Sequence, residues 1–381
     1  MKLIISVDPV RFPLTGIGRY TYELALRLQV HRELSELRFF AGSRFLPALP
    51  VASDQSDGVY GLKRTVQKSA LAMEAFRLLM PLLRRRTLKG LDDYLYHGPN
   101  FFIPPFPGRC VATFHDLSPF IWTQCHTPQR IRYWQKEMRK ALERADALIT
   151  DSEFTRRELA KYFAWPLERI HTVPLASSAE FHPRHEDELR GLLACYGLVA
   201  GGYSLFVGTV EPRKNIGTLL DAYSRLPLPV RLKWPLVLIG YRGWRNEAIH
   251  RRIAQAQAEG WARYLGFVPA GHLPRLFSGA RLFAFPSLYE GFGLPVLEAM
   301  ASGVPVICSN SSSLPEVAGN AALVCEALDV DALSLLIQRG LQDDTWRARA
   351  RQAGLRQASE FSWDLCASRT LQVYRSVLGA T

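Results

Sequence analysis

The segment SLYEGFGLPVLEAMASG, residues 287–303, holds two carboxylates, Glu290 and Glu298, with Gly291, Gly293 and Pro295 between them. Carboxylates are strong acceptors for the hydroxyls of a sugar or a ribose. Glycine permits positive φ or close backbone approach. Proline suits a first helical turn, where its missing N–H is no loss. The pattern predicts a loop opening into a helix, with Glu290 before it, Glu298 within its first turn and Gly303 as its C-cap. The amino end of such a helix offers free N–H groups and a positive dipole to an anion. A sugar on one side, a diphosphate at the helix tip and a ribose on the other fit this layout. Taken alone, Glu298 also reads as an acid that complements the helix dipole.

Three further clusters carry chemistry. Arg213 and Lys214 follow the apolar run YSLFVGTV, and paired cations there could hold a pyrophosphate and stabilise it as a leaving group. An exposed basic turn is the plain alternative. His115 and Asp116 end the run RCVATFHDL, a position that favours a functional over a structural histidine. Gly16 and Gly18 in PLTGIGRYTYEL suit a loop whose backbone nears a phosphate or sugar. They do not make a dinucleotide fingerprint: Thr21 stands where the third glycine belongs, and the next strand, ELRFFAG, ends without an acid. That disfavours a nicotinamide dehydrogenase. Asp329 and Asp331 read as the start of a helix rather than a metal site, and Asp92 and Asp93 as a loop or cap, so no metal is expected.

These residues need elements to place them. A chain of 381 residues exceeds what one core usually serves, which implies two domains. Strand-like runs (KLIISVD, ELRFFAG, RCVATFHDL, RADALITDS, RIHTVPL) alternate with helical ones such as GIGRYTYELALRLQV, whose Tyr20, Leu24 and Leu28 share a face. Ser152 caps the helix that follows RADALITDS. A stretch poor in strand signals, roughly residues 176–200, is expected to be the domain linker, and alternation resumes after it from YSLFVGTV to AALVCE. Alternation of this kind means βαβ units and parallel sheets. The fold class is α/β, with two doubly wound Rossmann-like domains facing a central cleft. Residues 1–185 form the first and 200–358 the second. Ligands in such sheets sit at the carboxyl ends of strands, where all the candidates above lie.

Composition narrows the class. Apolar residues at 48% and charged ones at 22% fit a soluble globular protein, and no apolar run reaches the ~18 residues of a membrane span. MKLIISVDPV reads as a first strand, not a secretory signal. The six cysteines form no Cys-x-x-Cys pair and are expected as free thiols of a reducing cytosol. The net charge of +12 is concentrated: residues 60–90 carry Lys63, Arg64, Lys68, Arg77, Arg84, Arg85, Arg86 and Lys89 against Glu74 alone, a net of +7. Phe76, Leu78, Leu79, Met80, Leu82 and Leu83 form an apolar patch ending in three arginines, the composition of an interfacial helix on anionic lipid. Nucleic-acid binding lacks interleaved aromatics or a known module.

Together these residues resemble the retaining family 4 glycosyltransferases of GT-B fold. The resemblance rests on Glu290 and Glu298 in EGFGLPVLEAMASGVPVICSN, and on GTVEPRKN, LGFVP, TFHDL, GIGRYTYEL and SSLPEVAGNAALV. The closing EFSWDLCASRTLQVYRSVL resembles the family's last helix, so residues 360–378 are expected to cross back onto the first domain. The resemblance implies that Glu290 contacts the donor sugar, Glu298 the ribose, and Arg213 and Lys214 the diphosphate, with the backbone at Gly293 and Leu294 assisting. Phe267 and Val268 would line the base, His115 would bond the donor sugar near the reacting carbon, and Gly16 and Gly18 would approach the diphosphate or acceptor. Many members carry an arginine where this chain has Thr209, a departure that Arg213 would make good. The family retains anomeric configuration without a protein nucleophile, a leaving phosphate oxygen taking the acceptor's proton.

The implied function is hexose transfer, of mannose or rhamnose type, from a nucleotide diphosphate sugar to a lipid-linked, undecaprenyl-type glycan acceptor in bacterial O-antigen (lipopolysaccharide) assembly. GDP-mannose or GDP-rhamnose is the expected donor, no cofactor is expected, and the expected location is the inner face of the cytoplasmic membrane. A nucleotide-sugar epimerase of similar fold and a non-catalytic glycan- or membrane-binding protein are the alternatives.

Overall fold

The structure is a computed structural model that describes residues 1–14, 16–51, 70–243 and 246–379, with side chains omitted for residues 70–78. Short, nearly continuous apolar runs become strands, and those at the middle of each sheet are buried on both faces, as parallel sheets require. β1 (Lys2–Ser6), β2 (Glu36–Ala41), β3 (Arg44–Leu46), β4 (Leu95–Gly98), β5 (Arg109–Phe114), β6 (Ala147–Thr150) and β7 (Ile170–Thr172) form one sheet in the order β3-β2-β1-β4-β5-β6-β7. Every pairing in it is parallel except the β2–β3 hairpin. β8 (Ser204–Val207), β9 (Leu236–Ile239), β10 (Ala262–Gly266), β11 (Leu282–Phe285), β12 (Val306–Ser309) and β13 (Ala322–Cys325) form a second, all-parallel sheet, ordered β10-β9-β8-β11-β12-β13. The chain reverses its direction of travel across the first sheet between β1 and β4, and across the second between β8 and β11. In open α/β sheets such switch points open the crevices that take ligands.

The helix Gly16–Gln29 buries Tyr20, Leu24 and Leu28 completely. Ser152 accepts the Thr155 N–H at the start of the helix Glu153–Phe163. The stretch expected to be a linker differs: it contains the helix Glu186–Cys195. Acids fill its first turn, and Leu189 and Leu193 four positions apart are buried, Leu193 against Gly279 of the second domain. The helix is thus packed with the second domain, tied by Arg184 N–H to Ser278 Oγ at 2.9 Å. β3 and β4 were not foreseen either.

The helix Trp363–Leu378 lies against Gly16–Gln29, and Arg27 pairs with Asp364 at 2.6 Å. A buried polar chain fixes it: Tyr374 OH to His97 Nδ1 at 2.6 Å, His97 Nε2 to Thr113 Oγ1 at 2.9 Å, and Thr113 Oγ1 to Tyr20 OH at 2.9 Å. Burial pushes His97 down to about 3, so the ring is neutral and divides its two nitrogens between donor and acceptor roles.

Of the basic stretch, Lys63, Arg64 and Lys68 lie outside the described residues, as do the side chains of Glu74, Phe76, Arg77 and Leu78. The described part is the end of the helix Ala70–Thr87, where Leu79, Leu82 and Leu83 are exposed beside exposed Arg85 and Arg86. No helix among the described residues is long and apolar enough to cross a membrane.

Candidate active site

β8 and β11 are neighbours at the second switch point, and their carboxyl ends bring Arg213, Lys214 and Glu290 together. After β8 the chain makes a short turn, Pro212–Lys214. Asn215 ends it at φ 56° and is stapled by its amide to the Pro286 carbonyl at 2.9 Å. After β11, Ser287 and Glu290 follow. Glu290 Oε1 accepts from Lys214 Nζ at 2.5 Å and lies 2.7 Å from Ser287 Oγ, while Oε2 accepts from Arg213 at 3.1 Å. Arg213 also pairs with Glu211 at 2.6 Å. Two cations and two carboxylates thus form a buried, charge-balanced quartet. Burial would push the Glu290 carboxyl up, but Lys214 and Arg213 override it and hold it below the usual carboxylate range. Burial, reinforced by Arg213, pulls the Lys214 ammonium below its ordinary value, and the ammonium stands 5.0 Å from the Phe285 ring centroid. Arg213 is raised because Glu290 and Glu211 outweigh its own burial.

The glycines do what the pattern predicted. Gly293 is the N-cap of the helix Leu294–Ala301 at φ 100°, and Pro295 lies in its first turn. Gly303 follows the helix at φ 72°. One placement is corrected. Because the helix begins at Leu294, Glu298 falls in the second turn, beyond the free N–H groups, so it does not cap the dipole. Glu298 is half-buried and has no hydrogen-bond or ion-pair partner among the described residues. Burial pushes it up to about 8, opposed by Arg19 of the first domain. Its carboxyl therefore has no protein partner among the described residues and senses the charge of Arg19 across the domain boundary.

The same loop is the seam between domains. A Cβ on Gly291 would stand 1.8 Å from the His115 carbonyl oxygen, so only glycine lets the lobes meet here. The Gly291 carbonyl accepts from Ser152 Oγ at 2.7 Å. Tyr289 inserts its ring among Trp122 and Phe154, donates to Glu158 at 2.5 Å and accepts the Leu117 N–H at 2.9 Å. Glu316 accepts both the Glu153 and Phe154 N–H groups, at 2.8 and 2.7 Å, capping the helix Glu153–Phe163 from the other domain.

His115 follows β5 at this seam, but its ring is occupied. Nδ1 lies 2.7 Å from Asp151 and Nε2 2.8 Å from the Pro99 carbonyl. Both partners are acceptors, which favours the doubly protonated ring; Asp151 overrides burial and raises His115. A sugar hydroxyl would have to displace the Pro99 carbonyl, so the expected direct bond from His115 is not prepared in this state. Asp116 accepts the Ser118 N–H at 2.9 Å. Gly16 and Gly18 lie inside the first helical turn rather than in the loop before it. Gly16 is exposed with open space around it. Gly18 is buried, and the Pro9 carbonyl oxygen lies 2.8 Å from where a Cβ would stand, so a side chain has no room there. Phe267 is half exposed and stacks on Tyr241 at 4.8 Å after β10 and β9, while Val268 is buried.

Residue patterns missed Glu211, Asp151 and Tyr289. Asp151 follows LIT at a strand's carboxyl end, the same signal that flagged His115, and Glu211 stands directly before the flagged cations. Asp329 is a helix cap, accepting the Ala332 N–H, and Asp331 pairs with Arg225. Among the described residues no group of three or more His, Cys, Asp or Glu is placed to hold a metal.

Residues 201–357 match the family described as "Glycosyl transferases group 1", and residues 14–176 match "Glycosyltransferase Family 4". The O-antigen chain mannosyltransferase B of Escherichia coli is 45% identical over 379 residues, covering 98% of this chain and 100% of that protein. The serotype-specific mannosyltransferase WbdA of Escherichia coli is 30% identical over 280 residues, 71% of this chain and 34% of that protein. Among solved structures, Anabaena HepE in complex with UDP superposes with a TM-score of 0.70 at 18% identity, over 99% of this chain and 100% of that one. WaaG, a glycosyltransferase of lipopolysaccharide biosynthesis, gives 0.68 at 14%, over 97% and 98%. These structural likenesses show the shared GT-B arrangement of two Rossmann-like domains. The chain belongs to the glycosyltransferases, a family 4 amino-terminal domain joined to a group 1 carboxy-terminal domain.

Proposed function

We propose that the protein transfers a mannose-type hexose from a GDP-linked donor to a lipid-linked glycan in O-antigen assembly, with retention of configuration and without a metal. The observation that carries this reading is the quartet at the β8–β11 switch point: two buried cations, Arg213 and Lys214, held against Glu290 at the foot of the interdomain seam. A diphosphate entering there would exchange carboxylate for phosphate at the same cations and leave its negative charge stabilised as the sugar–oxygen bond breaks. Glu290, so released, accepts hydroxyls of the donor sugar. Glu298, unpartnered, accepts the ribose, the backbone at Gly293 and Leu294 faces the phosphates, and Phe267 and Val268 flank the base. The leaving phosphate oxygen takes the acceptor's proton on the departing face. The protein's share is positioning and charge stabilisation. The 45% identity to a mannosyltransferase of O-antigen chains supports mannose over other hexoses.

The exposed Leu79, Leu82 and Leu83 beside Arg85 and Arg86 support docking on an anionic membrane that carries the lipid-linked acceptor. The test is to incubate purified protein with GDP-mannose, UDP-glucose or dTDP-rhamnose, with and without a mannose-terminated octyl glycoside and with EDTA, and to read products by mass spectrometry and anomeric NMR. Transfer from GDP-mannose with an α-linked product that survives EDTA is expected. No transfer from any donor, or loss of transfer in EDTA, would overturn the reading. Co-sedimentation with phosphatidylglycerol vesicles, reduced by a paired Arg85→Glu, Arg86→Glu change, checks the membrane surface.

A further inference from the structure

Glu290 is held by its main chain as well as by its carboxylate. Its N–H donates to Ser312 Oγ at 2.8 Å, and its carbonyl accepts from Ser313 Oγ at 2.9 Å. Both serines lie in the turn at residues 311–313 that follows β12, the strand beside β11. Arg213, Lys214 and Ser287 meet the side-chain oxygens, so all four polar atoms of Glu290 have protein partners.

We infer that Ser312 and Ser313 are positioning residues that fix the main chain of Glu290 where its carboxylate can meet the donor sugar, a conclusion that rests on the transferase reading. A diphosphate that takes over Arg213 and Lys214 removes the charged partners of the carboxylate. The main-chain bonds to the two serines then limit how far Glu290 can travel and leave its side-chain torsions as the remaining freedom. Small displacements matter at such a group, because a misplacement of ~1 Å can cost about 100-fold in rate.

Each serine gives up an easier arrangement to make its bond. Ser312 sits at φ 54°. Glycine adopts that conformation at no steric cost, whereas a residue with a Cβ persists there only when its surroundings hold it. The Ser312 hydroxyl donates to the Ser311 carbonyl at 2.8 Å, which leaves a lone pair for the Glu290 N–H. Ser313 is the N-cap of the helix Leu314–Ala318, a position where serine ordinarily accepts an N–H of the first turn. Its hydroxyl makes no such bond and donates to Glu290 instead. The turn is itself secured at both ends. Ser309, completely buried at the end of β12, donates to the Ser287 carbonyl at 2.5 Å, and Glu316, in the helix after the turn, caps Glu153–Phe163 of the first domain. Supports of this kind hold a functional group more closely than a free loop does.

Ser312→Gly separates positioning from folding, since glycine takes φ 54° freely and only the hydroxyl is lost. Its melting temperature should stay at or above that of the unmodified protein. Transfer from GDP-mannose to octyl α-mannoside should show kcat reduced about tenfold, the value of one lost contact, with the affinity for GDP unchanged because GDP carries no sugar for Glu290. Ser313→Ala should lower kcat in the same way. Hydrogen exchange over residues 287–293, read by mass spectrometry without substrate, should be faster by about tenfold at one amide in Ser312→Gly. Full turnover in Ser312→Gly, a kcat that falls only together with the melting temperature or with GDP affinity, or unchanged exchange overturns the assignment. Faster exchange in a protein that transfers from no donor would uphold the clasp on Glu290 and sink the transferase reading instead.

Discussion

Glu290→Gln tests whether the quartet exists to receive a diphosphate. The change keeps the side-chain shape and removes one charge. Arg213 retains Glu211, but Lys214, 7% exposed, loses the carboxylate it pairs with, and no other among the described residues bonds it. Breaking a buried pair from one side costs about 3–5 kcal/mol, because the surviving charge is left unsolvated. For a domain of this size, each kcal/mol is about 2–4 °C, so the carboxy-terminal unit should melt roughly 6–20 °C lower. The decisive measurement is the thermal shift with saturating GDP in both proteins. In the unmodified chain the phosphates must displace Glu290 from Lys214. In the variant that competition is gone and the phosphates supply the missing charge. GDP should therefore stabilise the variant by more degrees than it stabilises the unmodified protein, although the variant should transfer sugar at least about 100-fold more slowly, as expected for loss of a charged contact to the reacting sugar. A variant that melts at the original temperature, or gains no more from GDP, would refute the idea that these cations are held in reserve by Glu290. Adding Lys214→Met to Glu290→Gln should recover stability but not GDP binding, since removing both partners leaves no unpaired charge.

Further outcomes follow from the seam and from Glu298. Gly291→Ala should fold normally yet lose about 100-fold or more in kcat, because its methyl group would meet the His115 carbonyl at 1.8 Å and hold the lobes apart; wild-type-like turnover would refute this. Tyr289→Phe leaves Glu158 and the Leu117 N–H unpaired, costing about 1–3 kcal/mol of closure; small-angle scattering should show a larger radius of gyration, and an unchanged radius would count against the latch. The Glu298 carboxyl is pushed up to about 8, so it is largely protonated at neutral pH when no ligand is bound. A ribose prefers the carboxylate, so GDP affinity should rise as pH goes from about 7 to 9 and flatten in Glu298→Gln. The same raised value makes this group's contribution to stability fall as pH climbs from the ordinary carboxylate range toward 8, since the unfolded chain releases the proton first.

Much of this was legible because each signal was local. Alternating runs revealed most strands, and the glycines and proline around Glu290 located the bend, since φ preference and a missing N–H are properties of single residues. What escaped depended on distant partners. β4 is only LYHG, with a histidine and a glycine, and it becomes a central strand because Thr113 and Tyr374 satisfy His97 from β5 and the last helix. The helix Glu186–Cys195 hid in a stretch read as linker, since its two buried leucines mean little without the surface they meet. Glu298 falls in the second turn and not the first because Gly293 caps the helix and Leu294 begins it, a boundary the residue pattern leaves open by a residue or two. The close approach of the Pro9 carbonyl to Gly18 was hidden as well, since it joins residues nine apart through the fold and not through a pattern.

The loop Ser287–Gly293 answers two demands at once, and that coincidence joins the candidate donor site to the domain seam. Ser287 and Glu290 hold the cations that would receive the diphosphate, while Tyr289 and Gly291, interleaved with them, make the contacts that join the lobes. The bends at Leu288 and at Gly291–Phe292 let one short segment serve both the donor side and the partner domain. A ligand drives closure only by binding the closed state more tightly than the open one. Here the two sites are covalently adjacent, because the residue that would release Lys214 to the phosphate sits next to residues that clasp the first domain. The clasp is already made while Glu290 holds Lys214, so a phosphate would arrive at a seam that is formed, and no separate lid is required.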